Sequence, residues 1–142
     1  MTEEQLAKAG AEIMWREDQA SQWLGMRVDE VRPGYARLSM AVTANMVNGH
    51  QLCHGGLIFA LADSTFAFAC NSHNQRAVAA GASIEFLAPA FLGDRLTAEG
   101  MEQARAGRSG VYDMKVRNQK GALIALFRGK SATIKGQLVE GG

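Results

Sequence analysis

Asn48-Gly49-His50-Gln51-Leu52-Cys53-His54-Gly55-Gly56 runs straight into Leu57-Ile58-Phe59-Ala60-Leu61-Ala62-Asp63-Ser64-Thr65-Phe66-Ala67-Phe68-Ala69-Cys70. A polar, glycine-rich turn opens into a stretch that, wound as a helix, is apolar on every side except at one carboxylate. A helix with no polar face is a buried helix. A carboxylate inside one is costly unless it is neutralised or hydrogen-bonded. Asp63 is therefore a candidate for chemistry, and its plain alternative is a structural acid bonded to backbone. From Leu57 to Cys70 the helix would span about 21 Å, too short to cross a bilayer.

Working outward, the buried helix covers about 55–73 and the turn-rich segment before it 44–54. Upstream, residues 3–23 read as an amphipathic helix. Thr2 and Gln5 form a capping box, Leu6, Ala9, Ile13, Ala20 and Leu24 recur at roughly helical spacing, and Gly25 marks the end. A short strand follows over 26–32, then the Pro33-Gly34 turn. Residues 35–43 alternate, with Ala36, Leu38, Met40 and Val42 facing one way.

Downstream the pattern is all strand. Residues 77–87 place Val78, Ala80, Ala82, Ile84 and Phe86 on one face, and Pro89 stops the strand. Strands at 94–104 and 110–118 are split by Ala106-Gly107-Arg108-Ser109-Gly110. Tyr112, Met114 and Val116 alternate against Asp113, Lys115 and Arg117. Asn118-Gln119-Lys120-Gly121 reads as a hairpin loop, 122–134 as the last strand and 136–142 as a frayed tail. One long buried helix with about six strands makes an α+β fold, an antiparallel sheet wrapped around the helix. One sheet cannot cover a helix that is apolar all round, so a partner subunit is the simplest cover.

At 142 residues the chain fits one domain, 1–142. The 47% hydrophobic content supports a core, and a net charge of +1 gives no basic field for nucleic acid or membrane. Two cysteines make no disulfide framework, which suits a reducing cytoplasm. Met1-Thr2-Glu3-Glu4-Gln5 lacks the start of a signal peptide. His50, Cys53 and His54 fall short of the four ligands of a structural zinc site, so no metal is expected. Cys53 and His54 are adjacent, and adjacent side chains do not converge as a nucleophile pair. Met14, Trp15, Trp23 and Met26 read as packing.

The run Asn48-Gly49-His50 … His54-Gly55-Gly56 … Ala62-Asp63, with Phe66-Ala67-Phe68-Ala69-Cys70-Asn71-Ser72 and Phe127-Arg128-Gly129-Lys130-Ser131, resembles the hotdog-fold acyl-CoA thioesterases. It looks most like their PaaI type, the thioesterases of bacterial phenylacetate breakdown. The resemblance covers nearly the whole chain. It implies a hotdog fold, paired subunits and commonly a dimer of dimers, a homotetramer. It also implies metal-free hydrolysis of an acyl-CoA thioester, with no cofactor beyond the coenzyme that the substrate carries. On that pattern Asp63 is the catalytic carboxylate and Gly55 supplies the N–H that polarises the thioester carbonyl. Asn48 lies in the loop that contacts the reacting group or a water, and His54 shapes the turn.

The residues make chemical sense of these roles. The first N–H groups of a helix lack internal partners, and the macrodipole adds positive charge there. Glycine lets an acyl group approach the backbone. Asp63 can act as a general base on water or as a nucleophile. Gly55 and Asp63 are eight residues apart, about 12 Å along one helix. Both must lie within about 3 Å of one reacting centre. If they act together, two antiparallel copies must share the site, Gly55 from one and Asp63 from the other. His54 reads as a structural hydrogen-bonder rather than a base.

Arg128 and Lys130 share one strand face and could grip coenzyme phosphates, with Arg105 and Arg108 next in line. They could equally be surface charges. Phe59, Phe66 and Phe68 permit an aromatic pocket, although helical phenylalanines are more often core. Phenylacetyl-CoA or ring-hydroxylated relatives are the expected substrates. Two competing readings are a hydratase or dehydratase, with His50 or His54 as base, and a non-catalytic acyl-CoA sensor, against which Asp63 counts.

Overall fold

The structure, a computed structural model, describes residues 1–142. It opens with helix α1, Glu3–Glu17. Its capping box is the expected one: Gln5 N–H donates to Thr2 Oγ1 (3.1 Å) and Thr2 N–H to Gln5 Oε1 (2.9 Å). The single helix expected over 3–23 is broken at Asp18. That carboxylate accepts from Ser21 N–H (3.0 Å) and Ser21 Oγ (2.6 Å), and caps a second short helix, α2, Gln19–Trp23. A side-chain acceptor that satisfies free N–H groups competes with helix continuation. The break resets the helical phase. Ser21 turns inward and bonds Ser64 Oγ at 2.8 Å, while Trp23, expected in packing, is 84% exposed.

Strands β1 (Arg27–Arg32) and β2 (Tyr35–Ala41) follow, joined through Pro33 and Gly34, whose φ of +75° suits glycine. Ala36, Leu38, Met40 and Val42 are all buried, as their alternation requires. Helix α3 spans Gly55–Cys70. It ends short of residue 73 because the Asn71 carboxamide takes over the backbone bonding. Its Nδ2 donates to Ala67 O (2.9 Å) and Ala77 O (3.1 Å), and its Oδ1 accepts from Ala77 N–H (2.9 Å). Then come β3 (Ala77–Phe86), β4 (Arg95–Ala106), β5 (Ser109–Arg117) and β6 (Leu123–Thr133).

The six strands form one antiparallel sheet in the order β1-β2-β4-β5-β6-β3. Helix α3 lies across one face, chiefly against β2, β4 and β5. Leu61, Phe66 and Phe68 of α3 meet Leu38, Leu96, Met114, Val116, Ile124 and Phe127 in a dry core. Phe66 packs its ring 5.7 Å from Tyr112 and 5.8 Å from Phe127. This is the expected α+β arrangement with an added N-terminal helix.

Two further expectations are corrected. A bulge between Ala79 and Gly81 divides β3. One extra residue reverses the alternation, so Ala82 and Ile84 pair with Gly129 and Phe127 on the helix side, while Val78 pairs with Ala132 in the opposite phase and stands 47% exposed. The tail at 136–142 is docked rather than frayed. Asn74 brackets Val139 through both backbone groups (3.0 and 2.8 Å), and buried Leu138 sits against Gly10.

Candidate active site

The loop before α3 is held by Asn48. Its Oδ1 accepts from His50 N–H (2.9 Å) and Leu52 N–H (3.2 Å), while its own N–H donates to Leu52 O (2.9 Å). Asn118 uses the same geometry on Lys120 and Ala122, both at 3.0 Å, in an ordinary hairpin loop. Asn48 is therefore a turn-maker, with its amide NH2 left free to face a ligand. Gln51 takes a left-handed conformation (φ +65°) within this loop. Backbone bonds from Cys53 N–H to Ala90 O (2.8 Å) and from Leu92 N–H to Gln51 O (3.0 Å) tie the loop to the segment after β3.

His54 is the N-cap of α3 and works through its backbone. Its N–H donates to Met46 O (2.9 Å), and its carbonyl accepts from Leu57 (3.0 Å) and Ile58 (3.3 Å). The exposed imidazole caps nothing. The N–H groups of Gly55 and Gly56 have no acceptor in the chain. They form a pair of free donors at the positive end of a 16-residue helix. Against Gly55 lies the ring of Phe86, so close that a Cβ there would stand 2.9 Å from Phe86 Cζ. Asn48, His54 and Gly55 share a cavity of about 520 Å³ with apolar walls that include Ile58, Phe86 and Pro89.

Asp63 lies outside that cavity. It sits two turns along α3, partly buried on the helix stripe of Gly56, Phe59, Ala60 and Ala67, which the sheet leaves incompletely covered. Burial alone pushes its pKa above the usual carboxylate range, and no cation or hydrogen-bond donor opposes the shift. A carboxylate of this kind is a stronger base than an ordinary one. Cys53 and Cys70 are free thiols raised by burial, Cys70 to about 12, and so are poor nucleophiles. Nowhere in the chain do three His, Cys, Asp or Glu side chains gather as a metal cluster.

The sheet places Arg128 and Lys130 on its outer face, opposite the helix, as their alternation with buried Phe127, Gly129 and Ser131 requires. Arg128 is paired edge-on with one carboxylate: Nε donates to Asp113 Oδ1 (2.7 Å) and Nη2 to Oδ2 (2.8 Å). Phe66 and Phe68 are core, and Phe59 packs edge-on to Phe127. The Phe86–Gly55 contact was missed from sequence. It joins the end of one element to the start of another, and no local pattern announces it.

Comparison with known proteins agrees with the geometry. The thioesterase superfamily profile matches residues 50–125. The chain is 45% identical over 128 residues to the acyl-coenzyme A thioesterase PaaI of Escherichia coli K12, covering 90% of this chain and 91% of that one. The structure of the E. coli PaaI protein from the phenylacetic acid degradation operon superposes with a TM-score of 0.93 at 43% identity, covering 96% of this chain and 99% of that one. A mutant of the phenylacetic acid degradation protein PaaI from Thermus thermophilus gives a TM-score of 0.79 at 33% identity, over 82% of this chain and all of that one. The helix wrapped by its sheet, the donor-bearing Gly55 turn and the isolated carboxylate of Asp63 thus belong to a chain of the thioesterase superfamily, hotdog in fold and PaaI-like in sequence.

Proposed function

We propose that this protein is an acyl-CoA thioesterase that hydrolyses phenylacetyl-CoA or ring-hydroxylated aryl-acyl-CoA to the free acid and coenzyme A. One observation carries the reading: α3 bears two unpaired N–H groups at its start and a partnerless, desolvated carboxylate eight residues on. In the reaction, Asp63 takes a proton from water as the water oxygen bonds to the thioester carbon. The Gly55 N–H holds the oxyanion, and the amide NH2 of Asn48 orients the water or the acyl group. The C–S bond then breaks, and the coenzyme thiolate recovers the proton. No cofactor enters beyond the coenzyme of the substrate. The PaaI names of the relatives support the aryl choice, and the apolar walls around Gly55 accept an aromatic group.

The working unit is a homodimer, with a dimer of dimers as the family's common form. Strand β3 is an edge strand of ten residues with a single charge, Glu85, and is exposed along nearly its whole length. Such an edge is a template for pairing with another chain. A second copy there also covers the exposed stripe of α3 and brings its own α3 alongside. Gly55 of one copy then faces Asp63 of the other. No helix is long and apolar enough to cross a membrane, and we assign the protein to the cytoplasm. Arg128 is held by Asp113 and stands with Lys130 on the outer sheet face, so this reading does not use that pair to grip the coenzyme.

A panel of acyl-CoAs tests the assignment. Phenylacetyl-CoA and short acyl-CoAs should release free thiol with higher kcat/KM than palmitoyl-CoA. Enoyl absorbance without thiol would mean a hydratase, binding without either would mean a sensor, and each would overturn the proposal.

A further inference from the structure

Among the chain's surface cavities, one is built for anions. It opens at the tip of the β4–β5 hairpin, has a volume of about 350 Å³, and its lining includes Arg105, Arg108, His73, Ser109, Ser131 and Thr133. No carboxylate lines it. The groove beside β1 contains Glu12, Asp29 and Glu30, and the hollow on the outer sheet face contains Glu85, Glu99 and Asp113. Arg128 lies in that second hollow and is already neutralised there.

The backbone that carries Arg108 is pinned, and the Arg105 side chain is anchored by a carboxylate. Gly107, at φ +60°, closes a tight turn that projects Arg108, and Thr133 N–H donates to Arg108 O (2.8 Å), pinning the turn to the end of β6. No ion pair uses Arg108. Beneath, Glu102 Oε1 sits 3.0 Å from Arg105 Nε and 2.9 Å from His73 Nε2, and accepts from Tyr112 OH at 3.1 Å. That single carboxylate orients Arg105 through Nε and leaves its terminal nitrogens free. Two guanidinium groups in one cleft, with Ser109 and Thr133 also in its lining, match the charge and the donor demand of a phosphate. Cys70, two helical turns beyond Asp63 on α3, lines the same cleft and so joins it to the catalytic helix.

We infer that the Arg105–Arg108 cleft binds a phosphate group of the nucleotide end of the acyl-CoA substrate. The inference rests on the thioesterase reading for the identity of that nucleotide, while the cleft itself does not.

The test uses the assembled full-length protein and two readouts. The first is calorimetric binding of adenosine 3′,5′-bisphosphate, with inorganic phosphate as a separate titrant. The second is KM and kcat for an acyl-CoA beside the same acyl group on pantetheine, which has no phosphate. Arg108→Ala and the double variant Arg105→Ala/Arg108→Ala should weaken bisphosphate binding at least about tenfold, the scale of lost charged hydrogen bonds. They should raise KM for acyl-CoA similarly, keep kcat within about twofold and leave acyl-pantetheine unchanged, because the contact is equal in ground and transition states. Arg128→Ala/Lys130→Ala should bind the bisphosphate as wild type does. Wild-type affinity in the Arg108 variants, or loss confined to the Arg128/Lys130 variant, overturns the inference. Inorganic phosphate binding as tightly as the bisphosphate overturns the nucleotide assignment. Arg108-dependent bisphosphate binding in a protein that cleaves no thioester supports the cleft and sinks the thioesterase reading instead.

Discussion

Gly55→Ala isolates the geometry of the oxyanion donor from its chemistry. The alanine keeps its N–H but adds a Cβ 2.9 Å from Phe86 Cζ and 3.3 Å from both Cε atoms. Ordinary contact begins at 3.4 Å, so the ring must retreat by about half an ångström. Phe86 is 50% exposed at the end of an edge strand, and it can yield. Gly55 opens α3, where alanine gains less than the roughly 1 kcal/mol it holds over glycine in a helix interior, and the two small effects oppose one another, so the melting temperature should stay within a few degrees of wild type. Activity should not survive as well. The added methyl stands beside the donor and displaces a cavity wall, and placement errors near 1 Å cost about 10²-fold. Loss of a whole donor costs about 10²–10³. Thiol release from phenylacetyl-CoA should show kcat/KM down about 10²-fold. Adding Phe86→Ala should return part of the loss, read as a coupling in a double-mutant cycle. A Gly55→Ala enzyme that is folded and keeps more than about a tenth of wild-type kcat/KM refutes the reasoning.

Three further outcomes follow from the structure. Asp63→Asn should keep the fold and lose at least about 10²-fold in turnover, the usual share of a general base; a thiol-release rate above a tenth of wild type rules Asp63 out. The same variant should be at least as stable as wild type at pH 7. Burial raises the folded pKa above the unfolded 3.8, so the wild-type chain loses stability as pH rises between the two values, and the difference should vanish below about pH 3.8 in thermal melts. Gly100→Ala, far from the site, drives a methyl into the Asp113 carbonyl and the Met114 backbone, and should destabilise by about 1–3 kcal/mol or more in urea unfolding; a neutral result would show the β4–β5 register to be wrong.

Much of the fold was legible because strict patterns force it. The alternation of Ala36, Leu38, Met40 and Val42, and of Tyr112, Met114 and Val116, leaves one choice of buried face, and all seven are buried. The polar turn into an all-apolar run marked α3 with Asp63 upon it. What escaped the sequence depends on single contacts. Asp18 looks like any surface acid, yet its bonds to Ser21 end α1 and turn Trp23 outward. The Ala79–Gly81 bulge hides in a run of small residues in which no side chain prefers a face. The last residues gave no periodic signal, and distant partners dock them: Asn74, 65 positions before Val139, Arg76 N–H on Gly136 O, and Gly10 under Leu138. At the site, the turn residues Asn48, His54 and Gly55 were local enough to read. The engagement of Arg128 by Asp113 was not, because it depends on the register of β5 against β6.

Subunit complementation tests the shared site most directly. Asp63→Asn and Gly55→Ala chains, each nearly inactive alone, are unfolded together and refolded at equal ratio, and mixed dimers are verified by mass. In a two-fold dimer each mixed pair holds one site with both halves intact and one with both damaged. Random pairing then returns about a quarter of wild-type thiol release. Mixed dimers as inactive as their parents would place Gly55 and Asp63 in separate roles and contradict the account.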